Sequence, residues 1–198
     1  MDLPELRDMT PRDYQAECYV ESTKAIRAYS GPFFVEASVG AGKTLKMAMI
    51  AARAQQVGME VWILARRGEL VEQNSETLWE CGVKNSIYSA SCNAKSTHYP
   101  VLVGSEGTVA RAMHKELKDN KPAILLIDEC HEVDFNKEDC QYMQIISELQ
   151  RRNSKLRIIG MTGSPYRGSE DILGDFWKSC VYRIRTPELM IVTGKLLY

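Results

Sequence analysis

The chain has 198 residues, 44% hydrophobic and 26% charged, which supports one compact domain with its own core and is too short for two full-sized ones. Lys and Arg total 25 against 26 Asp and Glu, a net charge of -1, so no global field draws the protein to a polyanion and any nucleic-acid contact must come from a local patch. The opening "MDLPELRDMT" is acidic and lacks an apolar core, which excludes a signal peptide; no apolar run approaches membrane-spanning length, and the six scattered cysteines form no C-x-x-C, so a reduced, cytoplasmic setting without membrane contact is expected.

In chain order, a helical pattern over 11–29 comes first, then a short apolar run at 33–36 that predicts a strand, then a helix over 43–57. A strand at 61–64 is followed by a helix at 67–81, a strand at 101–104 by a helix at 106–118, and a strand at 124–128 by a helix at 137–151. Strands at 157–162 and 181–185 complete the series. Strands that are apolar throughout, separated by helices, indicate a parallel sheet covered on both faces. The expected fold is α/β: a single doubly wound, mostly parallel sheet, with its functional loops beyond the carboxyl ends of the strands.

The first such loop is "ASVGAGKT", Ala37, Ser38, Val39, Gly40, Ala41, Gly42, Lys43 and Thr44, which follows a strand and opens a helix. Two glycines at that point suit a backbone that curls closely around something large and negative. Successive N–H groups and the helix N-terminus would face phosphates, Lys43 supplies a point charge, and Thr44 offers a hydroxyl to Mg²⁺. The pattern departs from G-x-x-x-x-G-K-[ST] at its first position, Ala37. A second apolar run, "AILLIDECH", ends in Asp128 and Glu129. An acid there can hold Mg²⁺ beside the loop, and the next acid can deprotonate an attacking water. Asp128 is the expected metal residue and Glu129 the expected general base.

"ASVGAGKT" and "DECH" resemble motifs I and II of the superfamily-two helicases and translocases, and further motifs of their first RecA-like lobe follow in order over residues 9 to 198. "MTPRDYQAE" is similar to the Q-motif, which would give Gln15 the task of reading adenine with Arg12 in support. "ILARRGELVEQ" resembles motif Ia, "VLVGSEGTVAR" the Ib/Ic region, and "GMTGSPYRG" motif III, in which Thr162-Gly163-Ser164 stands for the usual T-A-T. The wording looks closest to the RadD-like and type III restriction-type group. The resemblance implies a RecA-like P-loop NTPase domain that binds ATP with Mg²⁺ and acts on nucleic acid, DNA more than RNA. It also implies a second RecA-like lobe that brings an arginine finger, toward which "RTPELMIVTGKLLY" would lead. The alternative functions are a stand-alone nucleotide- or nucleic-acid-binding regulatory module without turnover, and a small P-loop kinase, for which no acceptor-site lid is recognisable.

The remaining candidates are weaker. Arg66, Arg67 and Ser105 lie just past strands, where they can meet a phosphate backbone, although the two arginines read also as a solvated helix start. Thr162 and Ser164 sit at a strand end beside Asp128, where they suit interdomain or nucleic-acid coupling, and His131 suits communication between "DECH" and that strand rather than zinc binding. Arg111 and Lys115 fit a wet helix face, and "LQRRNSKLR" a helix end with cations on the dipole. Asn136 to Asp139 read N-K-x-D, the guanine-selecting pattern, but in an acidic loop rather than at a strand end. Asn136 is therefore expected to cap the next helix, with Asp139 returning the bond.

Overall fold

The computed structural model describes residues 3–28, 31–174 and 176–193. The elements are α1 (Asp13–Ala28), β1 (Phe33–Ala37), α2 (Lys43–Gln56), β2 (Val61–Ala65), α3 (Gly68–Glu80), β3 (Asn85–Ser89), β4 (Ala94–Lys95), β5 (Val101–Ser105) and α4 (Glu106–Ala112). Then follow β6 (Ile124–Ile127), a 3₁₀ turn at Cys130–Glu132, α5 (Gln141–Arg152), β7 (Arg157–Thr162), β8 (Tyr166–Arg167), β9 (Glu170–Asp171), β10 (Ser179–Ile184) and α6 (Thr186–Thr193). Residue 29 of the expected first helix and residues 194–198 of the terminal stretch lie outside the described residues.

Eight strands form one sheet in the order β10-β1-β7-β6-β2-β5-β3-β4, parallel except for the β3–β4 pair. Successive side chains alternate between two cores. Phe33, Val35, Ile63, Val103, Leu126 and Ile159 pack with α1, α2 and α3 on one face. Phe34, Trp62, Leu64, Leu102, Leu125, Ile127 and Ile158 pack with α4, α5 and Trp177 on the other. That two-sided burial is why the central strands read as unbroken apolar runs, and why fold class and parallel sense match expectation. The amphipathic α5 shows the helical counterpart, burying Tyr142, Ile145, Ile146 and Leu149 at i, i+3, i+4 and i+7.

Three departures have physical causes. Strand β3 was not foreseen because it buries polar side chains: Asn85 Oδ1 accepts from Ser75 Oγ at 2.7 Å, and Ser86 Oγ accepts from the Tyr99 N–H at 2.8 Å. The helix expected over 106–118 stops at Ala112, and the carbonyls of Met113, Leu117 and Asn120 turn instead onto the Arg152 guanidinium. Asn136 does not cap the next helix. Its N–H donates to Asp134 Oδ1 in a local turn, and α5 begins four residues beyond the expected position, with Cys140 at its N-cap. All six cysteines are free thiols, and among the described residues no helix is long and apolar enough to cross a membrane.

Candidate nucleotide site

Strand β1 runs between β7 and β10 and delivers Ala37 to the sheet's carboxyl end, where the chain turns through 38–42 into α2. The turn needs glycine at Gly42, which has φ 71° and ψ 49° at the helix N-cap; a Cβ there would also lie 2.5 Å from Gln15 Nε2. The loop and α2 border a cavity of about 330 Å³ whose other walls are Leu70, Gln73 and Asn74 of α3, with Asp128 and Glu129 beyond β6. Phosphate-loop residues, candidate metal oxygens and candidate base therefore face one space. Ala37 and Ala41 support the loop from the core instead of lining it.

Lys43 Nζ meets Glu129 Oε1 at 2.8 Å, and Glu129 Oε2 lies 3.4 Å from His131 Nδ1. The His131 ring contacts Thr162 Oγ1 at 2.8 Å. Thr162 donates its hydroxyl proton to Ser164 O and accepts from the Ser164 N–H, so the proton of the histidine contact has to sit on His131 Nδ1. Glu129 itself has a left-handed backbone, φ 44° and ψ 49°, a conformation that non-glycine residues adopt mainly where the surroundings enforce it. Gly163 leaves room for the lysine: a Cβ at that position would stand 3.2 Å from Lys43 Nζ.

Asp128 is 5% exposed. Its Oδ1 accepts from the Glu129 N–H at 3.0 Å and its Oδ2 from Asn74 Nδ2 at 2.9 Å. Burial pushes the Asp128 carboxyl above its ordinary range, Glu129 adds to that, and the Asn74 bond and Lys43 oppose it. Asn74 also accepts from Thr44 Oγ1 at 3.3 Å, so one amide joins the two oxygens that can take a divalent cation. Among the described residues no three His, Cys, Asp or Glu side chains cluster as a metal site. Mg²⁺ asks for less: one or two protein oxygens suffice when phosphates and water supply the rest, and Thr44 with Asp128 fits that demand.

A family model described as the type III restriction enzyme, res subunit, matches residues 8–167. The chain belongs to that family. The fold agrees with RecA-like helicase domains of superfamily two. The Sulfolobus solfataricus SWI2/SNF2 ATPase core in complex with dsDNA superposes with a TM-score of 0.67 at 16% identity, covering 83% of this chain and 34% of that one. The UvsW helicase from bacteriophage T4 gives 0.67 at 17%, covering 91% and 64%, and the Pyrococcus furiosus Hef helicase domain 0.66 at 21%, covering 87% and 38%. The chain thus spans less than two thirds of each of these structures. A comparison of the sequence with curated proteins gives no match.

In this type III restriction-type domain the other expected residues divide into three groups. His131, Thr162 and Ser164 are drawn to Glu129, as described. Arg66 follows β2 and Ser105 ends its neighbour β5, away from that group: Arg66 donates to Glu132 O at 2.9 Å and reaches Glu106 and Glu132 carboxylates at 3.9 and 3.8 Å. Ser105 is bound internally, accepting from Ser89 Oγ and donating to Thr108 Oγ1. Gln15 and Arg12 do not line the cavity. The Arg12 N–H donates to Gln15 Oε1 at 2.9 Å, and Gln15 Nε2 reaches Ala41 O at 3.5 Å, which places the amide beneath the loop. Two residues were missed by sequence reasoning. Asn74 lies inside a helix with no local signal, and Lys46, whose Nζ donates to Ala41 O at 3.0 Å, resembles any charged helix residue.

Proposed function

We propose that this chain is the ATP-binding motor lobe of a nucleic-acid-dependent ATPase, working as one RecA-like domain against a second lobe. The observation that carries this is the line Lys43–Glu129–His131–Thr162, which runs from the phosphate loop through the acid pair to the end of β7. Loop N–H groups around Ser38 to Gly42 would hold the phosphates, with Lys43 against the outermost ones. Thr44 and Asp128 would hold Mg²⁺, which when bound screens phosphate charge. Lys43 can satisfy either Glu129 or a phosphate. Phosphate that takes the lysine releases Glu129, which then accepts a proton from the water attacking the γ-phosphorus as the bond to the leaving diphosphate oxygen breaks.

The histidine and Thr162 would report that change to β7 and the Ser164 loop, where a second lobe would dock. Arg66 and Ser105, at the carboxyl ends of β2 and β5, suit backbone contacts that read no sequence. Support for DNA over RNA comes from the DNA-bound SWI2/SNF2 core that shares this fold. Gln15 would select adenine only by giving up its present partners.

Two measurements test the proposal. Lys43→Ala should weaken MgATP binding about tenfold or more by calorimetry, because it removes the loop's mobile cation; unchanged affinity overturns the phosphate-loop assignment. A finger from a second lobe is worth roughly 10³–10⁵ in rate, so steady-state ATPase of the 198-residue chain should stay near background with or without single-stranded DNA. Joined to the second lobe, it should turn over, and Glu129→Gln should abolish that turnover while leaving binding intact. Robust DNA-stimulated hydrolysis by the short chain alone would refute the half-motor reading.

A further inference from the structure

We infer that Asn74 is a positioning residue for the divalent-cation site, tying the Thr44 hydroxyl and the Asp128 carboxylate into one unit. This rests on the proposed nucleotide reading and concerns a residue outside the phosphate loop and the acid pair. Asn74 sits on α3, 1% exposed, on the helix side that borders the cavity with Leu70 and Gln73. A buried amide in a helix interior gives the core nothing that an apolar residue would not, and it has to be hydrogen-bonded to be tolerated. Its side-chain amide bonds Asp128 Oδ2 and Thr44 Oγ1, both candidate cation ligands.

Hydrogen-bond accounting fixes the orientation. The ionised carboxylate only accepts, so the NH₂ end of Asn74 must face Asp128 and its oxygen must face Thr44. The Thr44 O–H then has to donate to Asn74 Oδ1, which turns the lone pairs of Thr44 Oγ1 away from α3 and leaves them for a cation. Asp128 is constrained in the same way: Oδ1 takes the Glu129 N–H, Oδ2 takes Asn74, and each keeps one further lone-pair direction. The amide therefore selects the ligand orientations that a cation needs before the cation arrives. Partners that orient metal ligands typically contribute 10–100-fold in metal affinity when removed by mutation.

The test is calorimetric titration of ATP into the 198-residue chain, once with Mg²⁺ and once with EDTA, for wild type, Asn74→Leu and Asn74→Ala. Leu fills the space and Ala vacates it, so either folded variant gives the result. The expected outcome is that both variants lose about tenfold or more of the affinity gain due to Mg²⁺. Their affinity in EDTA should stay within about twofold of wild type, because Lys43 and the loop N–H groups are untouched. A full Mg²⁺-dependent gain in the variants overturns the inference. Equal losses with and without Mg²⁺ also overturn it, since they would mean that Asn74 merely supports the loop. If wild type itself binds no ATP, or binds it without any Mg²⁺ gain, the underlying nucleotide reading fails, which the wild-type titrations alone reveal.

Discussion

Lys46 and Arg152 are both buried cations, and their surroundings differ. Lys46, beneath the phosphate loop, is 1% exposed, donates to Ala41 O alone and lies 5.5 Å from the centre of the Tyr14 ring; among the described residues no carboxylate comes within ion-pair distance of it. Burial lowers its pKa, Cys18 beside it opposes that, and Lys43 adds to it. Arg152, in the seam between α4 and α5, has a side chain 4% exposed, with Nε on Glu148 at 2.8 Å and its remaining nitrogens on the carbonyls of Leu117, Asn120 and Met113. The planar guanidinium fork satisfies four oxygens at once, whereas among the described residues the ammonium donates to one oxygen and faces the Tyr14 ring. The seam is over-determined, and the loop rests on a group that can be rearranged at little cost. Functional segments are commonly drawn from the less stable part of a fold.

That contrast can be broken at either end. Arg152→Met should be the most damaging change, about 3 kcal/mol by denaturant melts, because it leaves the Met113 and Asn120 carbonyls without their donor and takes one from Leu117, while Glu148 keeps Arg151. A loss below 1 kcal/mol would erase the distinction. Lys46→Met should do the reverse, stabilising by about 1 kcal/mol, since an apolar side chain of similar length replaces a poorly partnered buried charge. In a chain of this size that is a rise of roughly 2–4 °C in Tm. Destabilisation comparable to Arg152→Met would show that the Ala41 contact holds the loop together.

The pH dependence sharpens the same contrast. With its pKa lowered below 10.5, folded Lys46 binds fewer protons than the unfolded chain between the lowered value and 10.5, so stability should climb with pH in that window. Lys46→Met should lack the climb. Cys18, raised by burial from 9.0 to about 11 with Lys46 opposing the rise, acts in the opposite sense above pH 9.0. The smallest effect belongs to Glu148, held at about 2 by bonds from Arg151 and Arg152. Its contribution is present above pH 4.5 and is lost as pH falls from 4.5 toward 2, a loss that Glu148→Gln should remove from the acid melt.

The loop before α2, the acids after β6 and the parallel sheet were legible as places in the fold because each has a local signature: glycines before a helix, acids after an apolar strand, strands apolar on both sides. The Thr162–His131 contact was legible as adjacency, since β6 and β7 are neighbours in a parallel sheet. What escaped depends on distant partners. Nothing near Ser86 says that Tyr99 will satisfy it, and nothing near Met113 says that Arg152 will end its helix. "LQRRNSKLR" reads as a helix end and holds the end of α5, yet one of its arginines, Arg152, turns inward. Asn136 failed as a cap because Asp134, two residues earlier, took its N–H into a turn. Asn74 is the clearest case, since a polar helix residue acquires meaning only when Thr44 and Asp128 are brought to it from elsewhere in the chain.

Strand β1 is flanked by β7 and β10, with Phe33 opposite Ile159 on one side and Ser179 on the other. A nascent chain emerging amino-terminus first therefore exposes the whole phosphate loop long before either neighbour of its strand has been synthesised. Until then the loop has no rigid strand to present it, and closing such distant pairings is slow. On the proposed reading, nucleotide would act as a folding ligand only once residues near Ile184 have left the ribosome. A product ending before β10 would carry the loop sequence with β1 paired on the β7 side only.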